Sequence, residues 1–87
     1  MKQFSYQIKD PNGLHARPAG KLAALAKRFT ATVTVTANGK EADCKRLLSV
    51  MGLGAVYGTA LRFTITGEDE ETAYNALLEH CADWGDC

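Results

Sequence analysis

The run Asn12-Gly13-Leu14-His15-Ala16-Arg17-Pro18-Ala19-Gly20 sets an imidazole two residues before a guanidinium and three before a proline. Helical spacing of apolar residues begins directly after His15. Pro18 is tolerated only in a first helical turn, where its missing N–H costs nothing. His15 is therefore expected at or beside an N-cap, where the first backbone N–H groups lack helical partners and point toward anions. Neutral imidazole is a good nucleophile, and the positive helix end disfavours its protonated form. A phosphoryl group on its nitrogen would meet these free N–H groups and the guanidinium of Arg17, whose plane matches phosphate oxygens. The N–P bond so formed is weak, and its group can be handed on. Charge and spacing alone leave a plainer reading open: a turn or capping histidine with no chemical task.

No second site competes with this one. His80 falls on the apolar stripe of the last helix and reads as a hydrogen-bonded core or boundary residue. No Cys or Ser is placed by sequence to pair with either histidine as nucleophile and base. The three cysteines, Cys44, Cys81 and Cys87, cannot all pair within one chain. They show no CxxC spacing, and "HCADWGDC" offers too few ligands for structural zinc. Two reduced core thiols and a loose C-terminal one are expected, in a reducing compartment, with no metal and no cofactor. A stand-alone hydrolase or metalloenzyme would need a further catalytic group or more ligands.

The 87 residues suit a single domain, 1–87, with one modest core. No apolar run is long enough to span a bilayer, and "MKQFSYQIKD" lacks the apolar block of a secretory signal, so a cytoplasmic protein is expected. Net charge is zero but segregated. Residues 11–46 carry seven basic side chains against Glu41 and Asp43, whereas residues 67–87 carry seven acids and no base. A neutral total argues against a general nucleic-acid binder. The local positive field suits an acidic partner or a phosphoryl group.

The elements that must position His15 follow from periodicity. Phe4, Tyr6 and Ile8 alternate with polar residues as a half-buried strand, and "DPNG" turns the chain. Ala19, Leu22, Ala23 and Ala26 form the inner face of an amphipathic helix, with Lys27 and Arg28 in its last turn. Val33 and Val35 alternate with threonines in a strand. Asn38-Gly39 is a hairpin turn, and Lys40 to Cys44 returns antiparallel with Ala42 and Cys44 inward. "KRLLSVMGLG" allows one or two helical turns. Leu61, Phe63 and Ile65 mark a fourth strand. "GEDEETAYNALLEHCADW" is a final helix, with acids in its first turn and Ala73, Ala76, Leu77, His80 and Cys81 inward. Every strand has one polar face. The expected fold is an α/β (α+β) open-faced sandwich in the order βαββαβα, a four-stranded antiparallel sheet with three helices on one face.

"GLHARPAG", the "NGK" after a Thr/Val strand, and "LLSVMGLGAVYG" resemble the HPr family of histidine phosphocarriers, essentially over the whole chain. The resemblance implies a carrier and not a true catalyst. Enzyme I of a phosphoenolpyruvate-dependent sugar phosphotransferase system would load Nδ1 of His15, and a sugar-specific enzyme IIA would unload it. Arg17 matches the family's motif arginine, and the backbone at Ala16 and Arg17 would supply donors. The family docks partners through its first and second helices, which here implies Gly20, Ala24, Lys27, Arg46, Leu47, Leu48, Met51 and Gly52. A monomer is expected.

One position departs from the pattern. Many relatives carry a regulatory serine at the start of the second helix, where this chain has Arg46, which has no hydroxyl; that regulation is expected to be absent. Ser49 is a weak substitute. Two alternatives stay open: an HPr-like paralogue in a nitrogen-type regulatory phosphorelay, and a small binding or scaffold domain that is never phosphorylated.

Overall fold

The computed structural model describes residues 1–14 and 16–84, with Asp83 and Trp84 described by their backbone alone. In chain order the elements are β1 (Lys2–Gln7), α1 (Ala16–Ala26), β2 (Thr32–Ala37), β3 (Lys40–Asp43), α2 (Leu47–Met51), β4 (Ala60–Thr66) and α3 (Glu70–Trp84). This is the expected order. The strands form one antiparallel sheet in the order β1-β4-β2-β3.

Register turns the alternation of the sequence into two chemically distinct faces. Phe4 lies opposite Phe63, Phe63 opposite Val35, and Val35 opposite Ala42, one apolar row across all four strands. One residue along, Ser5, Arg62, Thr36 and Glu41 form a row on the polar face. The inner row packs with Leu22 and Ala26 of α1, Val50 of α2, and Ala73, Leu77 and Cys81 of α3. Phe63 is fully buried, its ring stacked 4.8 Å from that of Phe4, which in turn meets Tyr74 of α3 edge-on at 5.5 Å. Aromatic pairs in these geometries add to the burial of their area.

Two local devices fix how the elements join. Asn38 and Gly39 both take positive φ, 54° and 77°, the twist a two-residue hairpin needs. The Asn38 side chain also donates to the Leu53 carbonyl at 3.3 Å, tying the hairpin to the segment after α2. At the opposite end of the sheet, both carboxylate oxygens of Asp69 accept backbone N–H groups, from Thr30 at 2.9 Å and Ala31 at 2.8 Å. Those bonds hold Asp69 below the usual carboxylate range. Glu70 reaches back to the N–H of Gly67 at 3.1 Å and pairs with the N-terminal amine at 2.6 Å, which hold its carboxyl low as well.

Three details differ from expectation. Lys27 and Arg28 lie just past α1, not in its last turn: Lys27 still donates to Ala23, but Arg28 donates to Leu25, so the ladder tightens from four residues to three. The third strand ends at Asp43, although Cys44 still donates to Val33 at 2.9 Å. Ala76 is half-buried and not fully inward, because it sits at the border of the stripe that buries Ala73, Leu77 and Cys81; His80, half-buried at the same border, is the boundary residue that the sequence allowed.

Candidate functional site

The loop before α1 is built from local chemistry. Asp10 accepts the N–H of Asn12 through its side chain and that of Gly13 through its carbonyl, both at 2.9 Å. Gly13 then turns at φ +69°, with its Cα pressed on the segment before β4; a Cβ there would lie 2.8 Å from both the Ala55 carbonyl oxygen and Val56 Cα. Leu14, buried, donates to Ala55 at 2.9 Å. The Ile8 N–H to Thr59 and the Gly58 N–H to Ile8 close the same two segments together. Leu14 is thus pinned on the N-terminal side of position 15, and α1 starts directly after it.

His15 itself lies outside the described residues, as do 85–87, including Cys87. Ala16 and Arg17 open α1 and are exposed, whereas Pro18 and Ala19 turn inward and are buried. The amides of the first turn have no partner within their own helix. The Arg17 guanidinium thus stems from an exposed position in that turn.

α1 and α2 pack against one another, which brings the remaining expected residues onto neighbouring helices. Ala24 and Lys27 are exposed and Gly20 is half-buried. A Cβ at Gly20 would meet nothing within 4 Å, so packing does not demand the glycine; it leaves that face bare. Arg46 is the N-cap of α2 and makes no side-chain capping bond, and Gly52 is its C-cap. Leu47 and Met51 are each 37 % exposed and Leu48 83 %, which separates them from core packing; only Val50 of this helix is buried. Ser49 is exposed.

Sequence reasoning missed Val56 and Tyr57, 64 % and 65 % exposed on the segment against which Gly13 packs. Their only signal is an apolar pair inside a glycine-bounded run, which has no period to read. Cys44 and Cys81 are free and buried. Burial, with smaller contributions from Cys81 and Asp43, pushes the Cys44 thiol up to about 12, and burial alone takes Cys81 to about 12. Among the described residues no group of three or more His, Cys, Asp or Glu converges as a metal cluster.

Comparison with known proteins decides the family. Residues 2–83 match the model described as "PTS HPr component phosphorylation site". The chain belongs to the HPr phosphocarrier family. A phosphocarrier protein HPr of Lysinibacillus sphaericus is 38 % identical over 85 residues, covering 98 % of this chain and 97 % of that protein. The histidine-containing phosphocarrier protein of a Mycoplasma superposes with a TM-score of 0.93 at 34 % identity, covering 97 % of this chain and 96 % of the other. An HPr dimer from Thermoanaerobacter tengcongensis matches with a TM-score of 0.76 at 32 % identity, covering 98 % of each chain. The open-faced sandwich is thus the HPr fold, and the chain is akin to components of a phosphotransferase system. No helix among the described residues is long and apolar enough to cross a membrane.

Proposed function

We infer that this chain accepts a phosphoryl group on His15 from phospho-enzyme I and passes it to a sugar-specific enzyme IIA, as a monomeric cytoplasmic carrier and not as a catalyst. Membership of the HPr family across residues 2–83 carries the reading. The site's construction agrees with it. A helix begins at Ala16, its first amides lack helical partners, and an exposed guanidinium sits one residue further on. Neutral His15 Nδ1 attacks phosphorus as the bond to the enzyme I donor atom breaks. The amides of Ala16 and Arg17 and the Arg17 guanidinium receive the phosphoryl oxygens. The reverse displacement on an acceptor of enzyme IIA returns the imidazole to its starting state. Partners seat on Gly20, Ala24 and Lys27 of α1, with Arg46, Leu47, Leu48, Met51 and Gly52 at α2.

The test is incubation with phosphoenolpyruvate and enzyme I. Acid-labile, base-stable phosphate is expected on the chain, absent in His15→Ala and retained in His80→Ala. A chain that stays unlabelled supports a scaffold domain. Equal transfer from sugar-type and nitrogen-type enzyme I leaves the sugar role unsupported, whereas preference for the nitrogen type assigns the regulatory relay. Arg46 occupies the cap of α2 without a hydroxyl, so serine phosphorylation by the dedicated kinase is expected to be absent.

A further inference from the structure

α2 supplies Leu47, Leu48 and Met51 to the surface on which partners seat, yet little within the helix holds it in place. It is five residues long, well short of the length at which a helix sustains itself in water. Its N-cap, Arg46, makes no side-chain capping bond, and Val50 is its one buried residue. Two bonds from outside the helix reach its opposite ends. Just ahead of the N-cap, the half-buried Lys45 donates through Nζ to the Phe29 carbonyl at 2.8 Å, in the turn that follows α1. Just past the C-cap, the Leu53 carbonyl accepts the Nδ2 donor of Asn38 at 3.3 Å, from the β2–β3 hairpin. The far ends of both bonds are fixed. Phe29 packs against the core beyond the last turn of α1, where the negative end of the helix dipole favours an ammonium. Asn38 is held by its hairpin at φ 54°. One bond thus ties α2 to α1, and the other ties it to the sheet.

We propose that Lys45 and Asn38 are positioning residues, which hold α2 in the pose that docking requires and act through that helix, not by contact with the phosphoryl group. The inference rests on the phosphocarrier reading for what docks. Leu47, Leu48 and Met51 make one contact surface with α1 only while their short helix keeps its place. With either bond cut, α2 opens more often and must be ordered again at each encounter, so binding weakens. The loop that carries His15 stands apart from this effect, since it is built on Asp10, Gly13 and Ala55. The transfer step within the bound complex keeps its rate.

The experiment uses two variants and a control. Lys45→Met keeps the aliphatic stem and removes the donor. Asn38→Gly keeps the positive φ and the net charge and removes the side-chain amide. Arg62→Met, the control, removes the same unit of charge as Lys45→Met, together with a side-chain bond to Gln3 at 3.0 Å on the open sheet face. Hydrogen exchange needs no partner, and Val50 and Gly52 report on α2 through their bonds to Arg46 and Leu48. Both amides are expected to exchange about fivefold faster in each variant and at the wild-type rate in the control. For phosphoryl transfer from enzyme I, the double variant is expected to raise KM about tenfold with kcat unchanged, and the control to change KM less than about twofold. Unchanged exchange at Val50 and Gly52, equal acceleration in the control, or a KM that does not move overturns the proposal. Should the double variant not fold, the single variants decide by the same two readouts. Failure of the phosphocarrier reading shows separately, as a wild-type chain with no label on His15.

Discussion

Gly13 does more for the site than its lack of a side chain suggests. It combines a positive φ with backbone contact against Ala55 and Val56, so any Cβ is both strained and in collision with main chain. Gly13→Ala is expected to cost more than about 1 kcal/mol in denaturant unfolding and to slow His15 phosphorylation, because Leu14 loses its anchor. Unchanged stability would mean that the loop yields freely. The two described cysteines make the opposite case, side chains without chemistry. A thiol buried and held at about 12 presents almost no thiolate near neutral pH, so Cys44 and Cys81 are expected to resist alkylation at pH 8 in the native protein and to react once it is unfolded. Peptide mapping of the alkylated chain reads this directly. The candidate His15–Arg17 pair was legible because proline and glycine punctuate it. Val56 and Tyr57 were not, because exposure in a non-periodic loop depends on what packs beneath it.

All seven elements were legible from alternation and helical spacing, since each strand shows one polar face and each longer helix one apolar stripe. What joins them was less so. Asp69 binds Thr30 and Ala31 across 39 and 38 residues, and no local pattern announces such a bond. It fastens the start of α3 to the entry of β2. Because its folded carboxyl is held below the ordinary 3.8, the unfolded chain binds the proton more readily. The contribution to stability is therefore present above that value and fades as pH falls through the lower folded one. Glu70 shifts in the same direction. Asp69→Asn is expected to be less stable than wild type at neutral pH, with the difference shrinking toward pH 2 in thermal melts; a difference constant with pH would remove the carboxylate from the explanation. The end of α1 was misread for a related reason. Where a helix tightens depends on the following turn, which residue propensities do not encode.

For the molecule as a whole, charge segregation was visible in the sequence, whereas the packing of α1 against α3 was not, since it sets side by side two helices separated in the chain by β2, β3, α2 and β4. The sheet has two edges, β1 and β3. The β3 edge is only four residues long, three of them the charged Lys40, Glu41 and Asp43, a composition that discourages strand pairing between copies. Sedimentation equilibrium at micromolar concentration is expected to return a single species of 9.4 kDa; a mass of twice that would align this chain with the dimeric relative. The site's amides are tested most directly by two-dimensional NMR of the chain before and after phosphorylation by enzyme I. Phosphorus coupled to Nδ1 of His15, together with large shifts of the Ala16 and Arg17 amides, is the expected result. Phosphorus on any other atom, or Ala16 and Arg17 amides that do not move, would contradict a phosphoryl group received by the start of the first helix.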